Sequence, residues 1–351
     1  MKFLRLAFYV LIAQLVLSGC AGEAVEETSS SSSSEINFDA YLGRNASTRS
    51  EVTDNTHLKG TEGNSGFGVF ARYNYNGKIL SLLDTEHVTW NKDQNHWEYT
   101  NTRFWPSEGS VDFYAFAPYS TAPKLESPNK NEANPTCIYF PSNLSPIDLV
   151  WANAMERTKT NEPVKFTFNH ALARLGLDIK ANQKLEKNGA VITVNKVILY
   201  GASETSGVFV MAGYLNLENG AWTLADNGIS WFYTWTPDGK VDGNEEVKKN
   251  GTVLKLSASQ LNDTTNIITN ADDSYIFIIP QEKPKNFNLK ITYTVTQGNF
   301  KEDVTVTKNL LDVLPGDSNP YFKGGKAYVF HLKLSLDPIN FKVTNEVEGW
   351  N

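Results

Sequence analysis

The chain has only two cysteines, Cys20 and Cys137, in 351 residues. No CxxC pair exists, and the five histidines (His57, His87, His96, His170 and His331) fall into no HExxH or other close metal spacing. Nothing in that pattern points to a zinc site or a thiol redox centre. There is no GxSxG, P-loop or dinucleotide fingerprint, and Gly63 to Gly68 merely break up a loop. Asp263, Asp272 and Asp273 lack the ligand spacing of a calcium loop. Excess positive charge is missing too: 32 Lys and Arg against 39 Asp and Glu leave a formal net charge of −7. That balance argues against a nucleic-acid partner, because phosphate backbones select clustered Lys and Arg. No segment of helical period exceeds about three turns, and no fixed repeat signals a propeller or solenoid. Beyond the first twenty residues no stretch is apolar enough to cross a bilayer. These absences leave no catalytic residue, metal ligand or cofactor to assign, and the chain is expected not to be an enzyme.

What is present begins at the N-terminus. Lys2 and Arg5 precede an apolar run from Leu6 to Leu17, interrupted only by Gln14 and closed by Leu17-Ser18-Gly19-Cys20. Roughly a dozen apolar residues are too few for a permanent span and suit the core of an export signal. The ending resembles the lipobox of bacterial lipoproteins, which implies a signal peptide over 1–19 and a lipid on the Cys20 thiol. The alternative is an ordinary secretory signal in which Cys20 is incidental. Residues 20–34, with Glu23, Glu26 and Glu27 followed by six serines, cannot form a core and are expected to be a flexible tether. With Cys20 lipidated, Cys137 has no partner. Its apolar setting, Cys137-Ile138-Tyr139-Phe140, suits a small buried hydrophobe better than a nucleophile.

Hydrophobic residues make up 40% of the chain and aromatics 12%, enough for one or two real cores. Ile36 and Phe38 share one face of a first strand, Glu35 to Leu42. Gly43 to Gly66 is polar and carries Arg44, Arg49 and Lys59, the composition of an exposed, protease-accessible loop. Core-like sequence resumes at Phe67 to Tyr73. Asn76-Gly77 marks a hairpin turn. Val111 to Ala117 alternates between a small apolar face and a largely aromatic one, and Asn153 to Pro163 is polar enough for a boundary or surface loop. Val164 to His170 alternates cleanly, and Ala171 to Ile179 is either strand or a brief helical turn. Asn286 to Thr296 and Glu302 to Leu311 form a hairpin around Gly298-Asn299, and Lys326 to Leu336 and Ile339 to Trp350 are strands again. Many short strands between Gly, Asn and Pro turns mean an antiparallel all-β architecture. His170 is either a catalytic base or, with no adjacent Cys, Ser or carboxylate motif, a core or sheet-edge histidine. Trp222, Trp231 and Trp235 either stack on sugar rings or fill cores.

From the tether onwards the chain resembles the fimbrillins and fimbrillin-like proteins of Bacteroidetes, which build type V fimbriae. The resemblance rests on the lipobox, Ile36-Asn37-Phe38, Gly66 to Ala71, Trp105-Pro106 and Val111 to Pro118. It continues through Phe166 to Ala173 and Ala327 to Phe330, ending at Ile339, Phe341, Val347 and Trp350. It implies two transthyretin-like antiparallel β-sandwich domains, which we place at 35–160 and 161–351. It also implies export to the outer-membrane surface as a lipoprotein, with the acidic residues behind Cys20 as a surface-export signal or a plain spacer. In that family an outer-membrane-associated protease specific for Arg or Lys cuts the loop after the first strand. Other fimbrial subunits then fill the vacated groove by strand exchange. The implied cut site here is Arg49, with Arg44 as the second candidate, and the displaced strand carries Ile36 and Phe38. The implied function is a structural fimbrial subunit contributing to adhesion. The alternative is a surface lipoprotein that does not polymerise and binds a glycan or host protein.

Overall fold

The computed structural model describes residues 34–42, 55–60, 66–120, 123–129, 132–140, 148–181, 191–210, 212–225, 230–231, 233–235, 276–314, 322–334 and 342–349. Among them the chain is nearly all strand, with one short helix and one 3-10 turn at Leu310–Val313. The first half holds β1 (Phe38–Leu42), the helix α1 (Asn55–Lys59), β2 (Phe67–Tyr75), β3 (Lys78–Asn91) and β4 (His96–Glu98). It goes on through β5 (Ser110–Ala117), β6 (Cys137–Phe140), β7 (Val150–Arg157) and β8 (Val164–His170).

Seven of these strands form one sheet, ordered β1-β8-β7-β5-β2-β3-β4. The sheet closes over itself. β8 meets β7 only where Val150 and Trp151 oppose His170 and Asn169, while Val164 to Phe168 lie beside β1. The Phe38 ring on β1 packs against Phe67 of β2 and Phe113 of β5, strands that are not its neighbours in the sheet. β1 and β8 therefore face β2 and β5 across a sandwich core. β7 runs to Arg157, further than its polar sequence led us to expect, because small Ala152 and Ala154 turn inward while Asn153 and Met155 alternate outward. Val164–His170 belongs to this same sheet.

The second half adds β9 (Ala173–Ala181), β10 (Val191–Tyr200), β11 (Phe209–Val210), β12 (Gly213–Asn216), β13 (Trp222–Leu224), β14 (Ser230–Trp231) and β15 (Tyr233–Trp235). Then come β16 (Ile276–Ile278), β17 (Asn288–Gln297), β18 (Phe300–Asn309), β19 (Lys326–Leu334) and β20 (Lys342–Gly349). Two four-stranded sheets, β15-β10-β17-β18 and β16-β9-β19-β20, enclose a core of Leu175, Leu177, Leu199, Ile291, Tyr293 and Phe330 among others. The hairpin predicted at Gly298-Asn299 is β17 and β18, and the Asn76-Gly77 turn takes the positive φ values that such a turn requires.

Among the described residues, pairing departs from a purely antiparallel plan at two places. β1 runs parallel to β8, and β9 runs parallel to β19. In each case a strand entered early meets one from the far end of its unit, and the long intervening chain permits the crossover that parallel pairing demands. A third core joins the halves. Tyr114 and Phe116, from the aromatic face of β5, pack with Phe70, Leu215, Leu217, Phe277 and Ile279. Alongside it, β6 from the first half pairs with β12 in the sheet β13-β12-β6.

Candidate functional site

Residues 34–42 lie in the first sandwich as a plug lies in a groove. Their burial alternates strictly, with Ile36, Phe38, Ala40 and Leu42 inward and Asn37, Asp39 and Tyr41 outward. Phe38 is 4% exposed and its ring touches those of Phe67, Tyr99, Phe113 and Phe166 at centroid distances of 5.3 to 6.5 Å. Burying Ile36, Phe38 and Leu42 contributes roughly 1.5–3 kcal/mol each, so an emptied groove exposes a strongly apolar trough.

Both long edges of the segment are occupied. On one side β8 runs parallel in register, Phe38 opposite Val164 through Leu42 opposite Phe168, and the Val164 N–H donates to the Asn37 carbonyl at 2.7 Å. On the other side residues 103–105 run antiparallel. The Ile36 N–H donates to the Arg103 carbonyl at 2.8 Å, and the Trp105 N–H donates to the Ser34 carbonyl at 3.0 Å. The Tyr99 hydroxyl donates to the Ile36 carbonyl at 2.8 Å while accepting from the Arg103 N–H at 3.0 Å. Burial pushes the Tyr99 phenol above its ordinary value, the Arg103 N–H opposes that rise, and Glu86 adds to it. The phenol is therefore a proton donor at neutral pH.

The far end of the segment is held by a side chain. Asn55, at the start of α1, accepts the Leu42 N–H at 2.8 Å and donates to the Leu42 carbonyl at 2.9 Å. The helix itself is fixed by Leu58, buried in the first core, and by the Gly66 N–H, which donates to the Leu58 carbonyl at 2.8 Å. Lys59 lies 3.9 Å above the Trp90 ring. Sequence reasoning did not single out Asn55 or Tyr99. The available signal was Leu58, one apolar residue inside the polar stretch 43–66, which marks a point where that loop is anchored.

Ile36 and Phe38 thus sit together at the centre of the groove, whereas Cys20, Arg44 and Arg49 lie outside the described residues. The other candidates among the described residues lie in or against the cores. His170 is buried and its Nδ1 lies 3.0 Å from Asp148 Oδ1, at the junction of the two halves. Cys137 is buried, and burial, followed by Glu132, pushes its thiol up, away from thiolate chemistry. The half-buried Trp222 donates its indole N–H to the Ala171 carbonyl at 2.9 Å and packs edge-on to Phe140, so it fills core. The Trp231 and Trp235 side chains lie outside the described residues. No helix among the described residues is long and apolar enough to cross a membrane, and no group of three or more His, Cys, Asp and Glu there could hold a metal ion.

A family model described as fimbrillin-like matches residues 48–350. Among solved structures, a fimbrial protein from Bacteroides vulgatus aligns with a TM-score of 0.63 and 21% identity, over 90% of this chain and 99% of that one. A putative cell adhesion protein from Bacteroides uniformis aligns with a TM-score of 0.49 and 16% identity, over 90% and 98%. The tip fimbrial protein Mfa3 of Porphyromonas gingivalis aligns with a TM-score of 0.37 and 10% identity, over 81% and 93%. No curated protein sequence matches the chain.

Proposed function

The chain belongs to the fimbrillin-like family, and from that premise we propose that it is a structural subunit of a cell-surface fimbria that polymerises by strand exchange. In this reading the precursor is exported as a lipoprotein anchored through Cys20 to the outer membrane. A surface protease specific for Arg or Lys cuts the loop after β1 at Arg49, with Arg44 as the second site. Residues 20–49 leave with their lipid, and the strand of a neighbouring subunit takes their place.

The observation that carries the reading is the setting of residues 34–42. They are paired on both edges, plug one core with alternate side chains, and connect to the rest of the chain only through the polar stretch that holds both arginines. Cutting that stretch severs the plug from the body of the chain. What it leaves has both unmet hydrogen-bonding edges and apolar pockets, the combination that added strands satisfy. A second copy of the chain also carries a segment of matching pattern. Ile339-Asn340-Phe341 repeats Ile36-Asn37-Phe38, and Val343 follows at the spacing of Ala40, although in this chain Val343 is held in β20 opposite Leu332. The two sandwiches divide, in this reading, just after His170, and the packed junction between them gives a subunit stiff enough for a filament.

N-terminal sequencing of assembled surface material tests the assignment. A start at Ser50 is expected. A chain that always begins at lipidated Cys20, with no ladder of multimers, overturns the polymer reading. Normal multimers from an Arg44→Ala, Arg49→Ala double variant overturn the cleavage step.

A further inference from the structure

We propose that Asn55 is the register stop of the groove, the group that fixes how far along it an incoming strand must reach. The inference rests on the strand-exchange reading and adds to it a residue that selects the strand.

In an extended chain the N–H and C=O of one residue point to the same side, and those of the next residue to the other. The Asn37 carbonyl faces β8, where it accepts from Val164. The even-numbered residues face away, and the described bonds from the body to them lie at both ends of the segment. At the near end Ser34 and Ile36 bond to Trp105, Arg103 and Tyr99. At the far end Leu42 bonds to Asn55 through both its backbone groups. Between them the Ala40 N–H is taken by the carboxylate of Asp39 at 2.9 Å, a group that departs with the strand. The body thus reads this edge at both ends of a six-residue interval, about 20 Å of extended chain.

A carboxamide suits this task because it offers an acceptor and a donor side by side, as a neighbouring peptide group would. Asn55 also stays behind when the plug leaves. It lies after both Arg44 and Arg49 in sequence, and its helix is held by Leu58, by Gly66 and by Lys59 over Trp90. The Gly66 bond and the Lys59–Trp90 contact involve no residue of 34–42, whereas Leu58 shares its core with them. A slip of one residue turns every side chain of the incoming strand to the wrong face, so the pleat already excludes odd shifts. A slip of two keeps the faces, and against that error the groove has the Phe38 pocket and Asn55. A strand too short by two residues leaves the carboxamide facing no peptide group, and its loss of hydrogen bonds is not compensated elsewhere in the groove.

The test uses the full chain cut in its folded state at Arg44 or Arg49 by a trypsin-like protease. Fluorescent peptides of residues 34–44 are then added, and their dissociation is followed by anisotropy. One peptide is unmodified, one is N-methylated at Leu42, and one is N-methylated at Ile36. On the cut wild-type protein the Leu42-methylated peptide is expected to leave about tenfold faster than the unmodified one. On Asn55→Ala that difference vanishes, while the penalty for methylation at Ile36 remains. On Asn55→Asp, which keeps the acceptor, sensitivity at Leu42 returns, and this variant also checks that substitution at 55 leaves the groove folded. Undiminished discrimination at Leu42 by Asn55→Ala overturns the role of Asn55 alone. Failure of the unmodified peptide to enter the cut wild-type groove overturns the strand-exchange reading, and this inference with it.

Discussion

β1 opens the seven-stranded sheet and β9 is the first strand of the four-stranded sheet β16-β9-β19-β20, and each lies parallel to a later strand, β8 in one case and β19 in the other. Their other edges differ. β9 has strands on both sides, with Leu175 opposite Ile276 on one and Tyr328 on the other. β1 ends the order of its sheet, and among the described residues its other edge is bonded by the 103–105 bridge, the Tyr99 hydroxyl and the Asn55 carboxamide. Equal burial with unequal edges teaches that apolar contact alone does not decide which strand can be surrendered. Side-chain clamps at the ends of a strand can be remade by a newcomer, whereas a strand inside a continuous ladder cannot leave without splitting its sheet.

The largest expected effect is on the locked strand. Leu175 is fully buried in the second core, and Leu175→Ala should cost about 4 kcal/mol of global stability. Urea denaturation followed by tryptophan fluorescence and by circular dichroism measures it, and the loss should register equally in both probes. A loss confined to local exchange around β9 would remove the distinction between the two strands.

Phe38→Ala should come next, at about 3 kcal/mol, and its signature should be local. Hydrogen exchange should quicken across 36–42 and 164–168 while amides of 173–181 keep their protection, because β1 can open without β9. A uniform loss of protection through both sandwiches would break the comparison.

How much of this could be read in the residues depends on which physical signal each part carries. The period-two alternation of Ile36, Phe38, Ala40 and Leu42 announces a strand with one buried face, and the polar stretch after it announces a loop. β5 shows two apolar faces in its sequence because it has two cores to fill, Phe113 in the first and Phe116 at the junction. The parallel pairing of β1 was not legible, since periodicity fixes which face is buried and says nothing about direction or neighbour. Nor was the end of β7 at Arg157, where small alanines supply the inward face and the polar residues merely alternate with them. Asn55 escaped for another reason. A carboxamide in a polar loop is ordinary until the chain brings the Leu42 backbone to it from 13 residues away.

The contact that ties the two halves is the third place to press. Gly220, at φ +73°, lies flat on Trp151 of β7, and an added Cβ would fall 2.2 Å from the indole ring. Asn153 completes the seat by donating to the Leu217 and Glu218 carbonyls at 3.0 and 2.6 Å. Gly220→Ala should cost about 2 kcal/mol through strain and crowding. It should act on the junction and leave β1 exchange unchanged, as hydrogen exchange at 36–42 against 213–224 would show.

The smallest effect concerns pH, and it separates the clamp from the ladder. The Tyr99 phenol is an acid whose value in the folded chain is raised above the 10.0 of the unfolded one, chiefly by burial. Its contribution is therefore complete below pH 10 and is lost as pH climbs through the raised folded value. Ionisation removes the proton donated to the Ile36 carbonyl and sets a negative oxygen against it, so the near end of β1 loosens. The described pairing of β9 with β16 and β19 is backbone to backbone, so no phenol donates into its edge as Tyr99 does at Ile36. Tyr114, in the junction core, is pushed up to about 12 by burial and by Asp112 and Glu218, so a second alkaline limb belongs to the junction. Tyr99→Phe should cost about 1 kcal/mol near neutral pH and abolish only the strand's own limb. Exchange at residues 36–42, measured by pulse labelling after brief alkaline exposure, follows that limb directly. Loss of protection at 36–42 that begins below pH 10, or that persists unchanged in Tyr99→Phe, would show that the hydroxyl is not what holds the near end.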